Sequence, residues 1–160
     1  MASEHFKDAE LACPCCGVNG VKQPVLDAAE LLRAAAEKRY GIGRLRTNAT
    51  SAYRCEDHNK AIGGALNSQH MLGIALDIQL QVSQDYGGKG ARRWVTVAPR
   101  EWEDLARQAP GIGGYGRDDE RNFAHIDTRE KMGSRIAQWC YKNGKEVPYY
   151  PASQSKTEKS

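Results

Sequence analysis

Ser68-Gln69-His70-Met71-Leu72-Gly73-Ile74-Ala75-Leu76-Asp77 sets a histidine and an aspartate seven positions apart, with a glycine between them. From Ile74 to Leu80 the large aliphatics Ile74, Leu76, Ile78 and Leu80 alternate with Ala75, Asp77 and Gln79. That period of two predicts a strand with one apolar face and Asp77 on the other. His70 then ends the preceding loop, and Gly73 lets the backbone between them turn tightly. A second stretch, Asn122-Phe123-Ala124-His125-Ile126-Asp127, reads as another strand, with Phe123, His125 and Asp127 on one face. Two imidazoles and a carboxylate, with a fourth position open, are how a catalytic zinc site is built.

Working outward, Pro24 suits the first turn of a helix. Val25, Ala28, Ala29, Leu31, Leu32 and Ala35 follow at helical spacing, and Gly41-Ile42-Gly43 ends it. Leu45 to Tyr53 alternates and predicts a strand, followed by a polar, glycine-bearing loop from Glu56 to Ala65. Val82 to Gly90 reads as a loop, and Ala91-Arg92-Arg93-Trp94 as the opening of a short helix or as an undecided segment. Arg100 to Gln108 forms a clearer helix after Pro99, with Trp102 and Leu105 inward. Gly111 to Gly116 is strand-like but permissive, as a backbone near a ligand needs to be. Arg117 to Arg121 reads as a charged tight connection, and Ile136 to Tyr141 as a short last element carrying Trp139. The expected organisation is a lead-in with a cysteine cluster over 1–22, one folded domain over 23–148, and a flexible tail over 149–160.

The 160 residues make one domain, long enough to bury a core without disulfide staples. Hydrophobic residues at 40% and charged ones at 27% are ordinary for a globular protein. A net charge of +3 suits an anionic surface such as a cell wall but is too small to argue nucleic-acid binding. No apolar run reaches the roughly 18 residues of a membrane helix. The first residues lack the profile of a secretory signal, so synthesis in the cytoplasm is expected. Of five cysteines, three crowd into Cys13-Pro14-Cys15-Cys16, with Cys55 and Cys140 elsewhere. An odd count argues against a complete disulfide framework. A structural metal, a disulfide from the cluster to Cys55 or Cys140, and buried free thiols all remain open.

Ser68 to Asp77 resembles the S-x-H-x-x-G-x-A-x-D signature of the zinc D-alanyl-D-alanine carboxypeptidase family. That family includes phage L-alanyl-D-glutamate endopeptidases, murein endopeptidases and the Hedgehog signalling domain. Phe123 to Thr128 resembles its late histidine motif, in the H-x-D form. Tyr53-Arg54 after a strand resembles its S-x-Y-R segment, and His58-Asn59 with Gly63-Gly64-Ala65 the loop that follows. The resemblance runs from Leu45 to Thr128 with the motifs in the family's order. It implies an α+β fold of the Hedgehog/DD-peptidase kind, a small antiparallel sheet with helices packed on one side. It implies His70, Asp77 and His125 as zinc ligands, Arg54 as the contact to a substrate carboxylate or carbonyl, and Ser68 as a brace of the ligand loop. The family places a glutamate or histidine base two or three residues before the last ligand. Here Asn122 and Phe123 stand there, and neither takes a proton. The acids left are Asp127 first and Asp119 second, with Asp118 and Glu120 in the same charged run; Asp127 has orientation of a ligand as its other role. The implied activity is zinc-dependent hydrolysis of peptidoglycan stem peptides or cross-links by a monomer, without nucleic acid or stable membrane association. Such an enzyme fits a phage or prophage endolysin that reaches the wall after release. The alternative is a non-catalytic zinc-binding module of the same fold that recognises cell wall or a protein partner.

Overall fold

The computed structural model describes residues 3–85 and 92–151. Chain order is α1 (Asp8–Leu11), α2 (Gln23–Tyr40), β1 (Leu45–Ser51), α3 (Glu56–Ala61), β2 (Ala75–Asp85) and β3 (Arg92–Thr96). A 3-10 turn at Pro99–Glu101 leads into α4 (Glu103–Gln108), then β4 (Gly114–Asp118), β5 (Phe123–Asp127), β6 (Ala137–Lys142) and β7 (Lys145–Pro148). The strands form one sheet in the order β1-β2-β5-β4-β6-β7, with β3 paired to the far half of β2. All pairs are antiparallel except β4 with β6. The expected α+β class with a mainly antiparallel sheet is the observed one.

β2 carries the division of labour. Its Leu76, Ile78 and Leu80 are buried in the core, against Val25, Leu26, Ala29 and Leu32 of α2. Burying each such aliphatic contributes about 1.5–3 kcal/mol. Asp77, between them, points to the opposite face, as the alternation requires. The buried stripe of α2 is Val25, Ala28, Ala29, Leu32 and Ala36. Leu31, expected inward, is half exposed, because it lies one position off the stripe that the i, i+3, i+4 rule selects. Trp102 and Ala106 close the same core beside Tyr115 and Ile126.

Several local expectations change. Glu56 to Ala61 is a helix, not a loop: Cys55 caps it, and Glu56 and Asp57 occupy its first turn, where negative charge is favoured. β2 continues through Asp85 rather than ending near Leu80, because β3 pairs with its second half. Arg92 to Thr96, read as the possible opening of a helix, is that strand; the rest of the expected loop, 86–91, lies outside the described residues. Arg117 and Asp118 belong to β4 and are fully buried. The true turn follows them. Asp118 Oδ1 accepts from the backbone N–H groups of Glu120 (3.0 Å) and Arg121 (2.8 Å), and Asn122 takes a positive φ of 56°.

Both ends of the described chain are tied down. In the lead-in, Phe6, Leu11 and Cys13 are fully buried, and Glu30 of α2 accepts from Ser3 Oγ (2.7 Å) and the backbone N–H of His5 (2.8 Å). At the other end Tyr149 Oη donates to Glu103 at 3.1 Å, and the Tyr150 carbonyl accepts from Arg117 at 2.9 Å. Arg117 also meets Glu103 at 2.7 Å and Asp119 at 3.0 Å. A buried guanidinium without such partners would be strongly destabilising. The expected tail therefore starts with anchored tyrosines; residues 152–160 lie outside the described residues.

Candidate metal centre

β2 and β5 place Asp77 directly opposite His125 in the sheet register. His70 reaches the same point from the turn before β2. That turn is closed by backbone bonds from Met71 to Ser68 (3.1 Å) and from Gly73 to His70 (3.2 Å). Gly73 has φ +76°, and a side chain there would collide with the Gly20 carbonyl. The turn is thus packed against the lead-in, and glycine is required on both counts. Ser68 Oγ accepts the His70 N–H at 3.2 Å and so braces the loop.

The three side chains are buried and present one ligand atom each within 4.8 Å of one another. Their hydrogen bonds fix which atoms face inward. His70 Nδ1 lies 2.6 Å from the Ala52 carbonyl, which can only accept, so Nδ1 carries the proton and Nε2 turns its lone pair toward Asp77. His125 is reversed. Its Nε2 lies 2.7 Å from Asp127 Oδ2, and its Nδ1 lies 3.0 Å from Asp77 Oδ1. A carboxylate or carbonyl behind each ligand imidazole is the usual support of a bound divalent cation. Two imidazole lone pairs and a carboxylate oxygen converging from a rigid sheet fit zinc by donor type and number.

Electrostatics agree with that fit. Burial pushes the Asp77 carboxyl up, but the His70 and His125 imidazoles outweigh it and hold it well below the carboxylate range. Burial pushes His125 down, while Asp127 and Asp77 pull it up to about 9. A bound divalent cation would have to displace the second proton that these carboxylates favour on His125.

Asp127 sits behind His125, fully buried. Besides His125 it accepts from Arg129 Nε (2.9 Å), Arg129 Nη2 (2.7 Å) and the Arg129 backbone N–H (3.1 Å). Burial raises its carboxyl, and the His125 and Arg129 hydrogen bonds override that and hold it well below the ordinary range. Both its oxygens are taken up by His125 Nε2 and Arg129, the geometry of a group that orients His125, which is the other role expected for it. Asp119 is not brought to the site. It pairs with Arg117 at the end of β4 and does not line the cleft. Asp118 folds back on its own turn, and Glu120 accepts the Asn143 N–H at 2.8 Å.

The centre lies in an open cleft of about 800 Å³. Arg54 is on its wall, with Nη1 on Asn59 Oδ1 at 2.8 Å and a buried Nε without a partner. Burial lowers the pKa of this guanidinium. Gly64 is small because a Cβ there would meet Asn59 Oδ1 and Arg54 Nη1. Arg129, Trp139, Tyr141 and Glu146 also line the cleft. The Trp139 ring lies 5.2 Å from His125 and 4.9 Å from the Arg129 guanidinium. The permissive glycine-rich stretch that runs into β4 has a specific reason there. A Cβ on Gly114 would meet the Asp127 carboxylate, and one on Gly116 the Trp139 indole nitrogen. Among the described residues, Asp77 and Glu146 are the acids lining the cleft.

Arg129, Trp139, Tyr141 and Glu146 were not singled out from sequence as site residues. Arg129 continues the alternating face of His125 and Asp127, so the same period-two reading extended by one step reaches it. Glu146 arrives through the hairpin of β6 and β7, whose loop is Asn143-Gly144, both at positive φ (53° and 77°). Asn-Gly between two short runs is a strong hairpin signal, and it would have placed Glu146 beside Tyr141, its register partner.

No curated protein matches the chain. A family model described as peptidase M15 matches residues 4–127, which takes in the lead-in, the α2 core and all three converging side chains. Peptidases of this family are zinc-dependent in general, in keeping with the donor set. The chain therefore belongs to the peptidase M15 family.

Proposed function

We propose that the protein is a zinc metallopeptidase that hydrolyses peptide bonds of bacterial peptidoglycan, in the stem peptide or the cross-link. The observation that carries the reading is the convergence of His70 Nε2, Asp77 and His125 Nδ1 on the floor of an open cleft. A zinc ion held by them supplies Lewis-acid polarisation of a carbonyl and lowers the pKa of water toward about 7.

The chain's own groups carry the rest. Asp127 and the Ala52 carbonyl hold the two imidazoles in the tautomers that leave Nδ1 of His125 and Nε2 of His70 free. Arg54 binds a carboxylate or carbonyl of the substrate through its planar donor fork. Arg121, Arg129 and Lys145 add positive charge around the cleft, which suits the anionic stem peptides. Glu146 is the general base: it lines the cleft, is exposed, and is not one of the converging ligands. It takes a proton from the attacking water and passes it to the leaving amine. Endolysin action, in which the protein meets the wall after the membrane is breached, is consistent with this chemistry. No helix among the described residues is long and apolar enough to cross a membrane.

The rival reading, a non-catalytic zinc-binding recognition module, has one observation in its favour. Both acids expected as bases, Asp127 and Asp119, are engaged elsewhere. Mass spectrometry of purified peptidoglycan fragments after digestion decides between the two. New amine and carboxyl termini at one bond type support the peptidase and identify the bond. No new products with zinc bound refute it in favour of the module.

A further inference from the structure

A second cluster of ligating side chains lies away from the cleft. The Sγ atoms of Cys13, Cys16 and Cys55 all fall within 4.8 Å of one another. Cys13 and Cys16 frame a tight turn. Cys13 N–H bonds to the Val18 carbonyl at 2.8 Å, Gly17 N–H to the Cys13 carbonyl at 2.7 Å, and Gly17 takes φ +76°. Cys55 comes from a different part of the chain, at the N-cap of α3. Cys15, the remaining thiol of the turn, is exposed, and the Cys55 thiol is the main cause that raises its pKa.

Two of the three sulfurs are met by backbone donors. Cys13 Sγ accepts from the Cys55 N–H at 3.4 Å. Cys55 Sγ accepts from the His58 N–H at 3.5 Å. Burial pushes the Cys13 thiol up, but backbone N–H groups of Cys55 and of its own turn lower it to about 7. Neutral thiols are weak acceptors and have little use for so many donors, whereas thiolates have a strong one. Thiolates this close repel one another unless a cation lies between them. Cys13 Sγ and Cys55 Sγ are 3.7 Å apart. Two sulfurs on one tetrahedral zinc, each about 2.3 Å from it, stand about 3.8 Å apart.

We propose that Cys13, Cys16 and Cys55 form a thiolate zinc site, closed in its fourth position by Cys15, separate from the His70–Asp77–His125 centre. A tetrahedral all-sulfur donor set selects zinc among the common divalent ions. Its role is structural. It clamps the lead-in to the segment that serves the cleft. Tyr53 N–H bonds to the Leu11 carbonyl at 3.4 Å, Arg54 N–H to the His70 carbonyl at 3.3 Å, and the Ala52 carbonyl holds His70 Nδ1. A metal on Cys55 therefore fixes the stretch 52–55, which presents Arg54 to the cleft and sets the tautomer of His70. The site stands or falls independently of the peptidase reading.

The test is metal counting on untagged protein purified under reducing conditions, with no activity assay involved. The wild type is expected to hold two zinc ions per chain. Cys13→Ser and Cys55→Ser are each expected to hold about one, and His125→Ala also about one. Replacement of zinc by cobalt in His125→Ala should then show sulfur-to-cobalt charge-transfer absorption in the near ultraviolet, because only the thiolate site remains. The same band in cobalt-loaded wild type reports the site even if the cysteine variants do not fold. Cobalt protein without the thiolate band, or a single zinc per reduced wild-type chain that His125→Ala removes and Cys55→Ser does not, overturns the proposal.

Discussion

Replacing Asp127 by asparagine separates the two roles that an acid beside the last ligand can have. The native carboxylate accepts four hydrogen bonds, one from His125 Nε2 and three from Arg129. An asparagine offers one oxygen and one amide nitrogen in the same space. If the oxygen faces His125, the amide N–H₂ confronts the Arg129 guanidinium, donor against donor. If the amide faces His125, Nε2 must become an acceptor. The ring proton then moves to Nδ1, and the lone pair that faces Asp77 is lost. Either outcome weakens the metal centre. Loss of the partner behind a ligand imidazole costs about 10–100-fold in metal affinity, or roughly 1.4–2.7 kcal/mol. The assay is zinc competition against a chromophoric chelator, with thermal melting alongside to show that the fold is kept. We expect Asp127→Asn to weaken the centre's zinc affinity by that factor. Unchanged affinity, within about threefold, with hydrolysis reduced by about 10²–10⁴, would refute the reasoning and make Asp127 the proton acceptor.

Three further outcomes are expected. Glu146→Gln should lower peptidoglycan hydrolysis by about 10²–10⁴ while leaving bound zinc unchanged; activity within tenfold of wild type would remove Glu146 from the mechanism. Gly73→Ala forces a side chain into a left-handed backbone and against the Gly20 carbonyl. It should destabilise by at least about 1–3 kcal/mol, several degrees in Tm at this chain length, and an unchanged melting curve would contradict the packing described. Glu30 gives the pH dependence. Burial raises its carboxyl, but hydrogen bonds from Ser3 and His5 lower it further, so its folded value lies below the ordinary 4.5. The stabilisation is therefore present above about pH 4.5 and is lost as pH falls below it. Protection of the amides of residues 3–6, relative to their intrinsic exchange rates, should fall there, and Glu30→Gln should bring the same lower protection to neutral pH; protection that does not change with pH in the wild type would count against the contact.

What could be read in the sequence was whatever is local and periodic. The period of two from Ile74 to Leu80 placed Asp77 opposite the core, and the same period put Phe123, His125 and Asp127 on one face. Those two strands pair in the register that joins Asp77 to His125, so the convergence of the candidate ligands could be written from pattern and resemblance. Leu31 shows where periodicity loosens: six apolar positions in α2 fit more than one stripe, and only packing against β2 chooses between them. Cys55 shows where it fails. Its partners are some forty residues away in sequence, and nothing in either segment says that the turn at Cys13–Gly17 will dock there.

The two acids expected as bases are engaged elsewhere for a different reason, and the reason bears on mechanism. On a strand, a residue two positions beyond a ligand shares its face, and that is all the alternation states. It does not say whether the carboxylate stands in front of the imidazole or behind it. The rear position follows from two later features: Arg129, which holds Asp127 by both oxygens, and Gly114 across the sheet, whose missing side chain leaves the space that the pair occupies. With the rear position filled, the base proposed for the cleft comes from another element, β7, which the Asn143-Gly144 turn returns beside Tyr141. The same geometry explains why the residue two before His125 can be Phe123: its ring packs 5.7 Å from Tyr141 and seats the strand that carries Glu146's register partner. A glutamate placed at 123 would therefore not simply restore the family's usual base. It would remove that ring contact and set a second acid near Glu146. Phe123→Glu alone should lower activity, and Phe123→Glu combined with Glu146→Gln should recover part of it if position 123 can take the proton. Loss of activity in the double variant equal to that of Glu146→Gln alone would show that the base has moved to β7 for good in this chain.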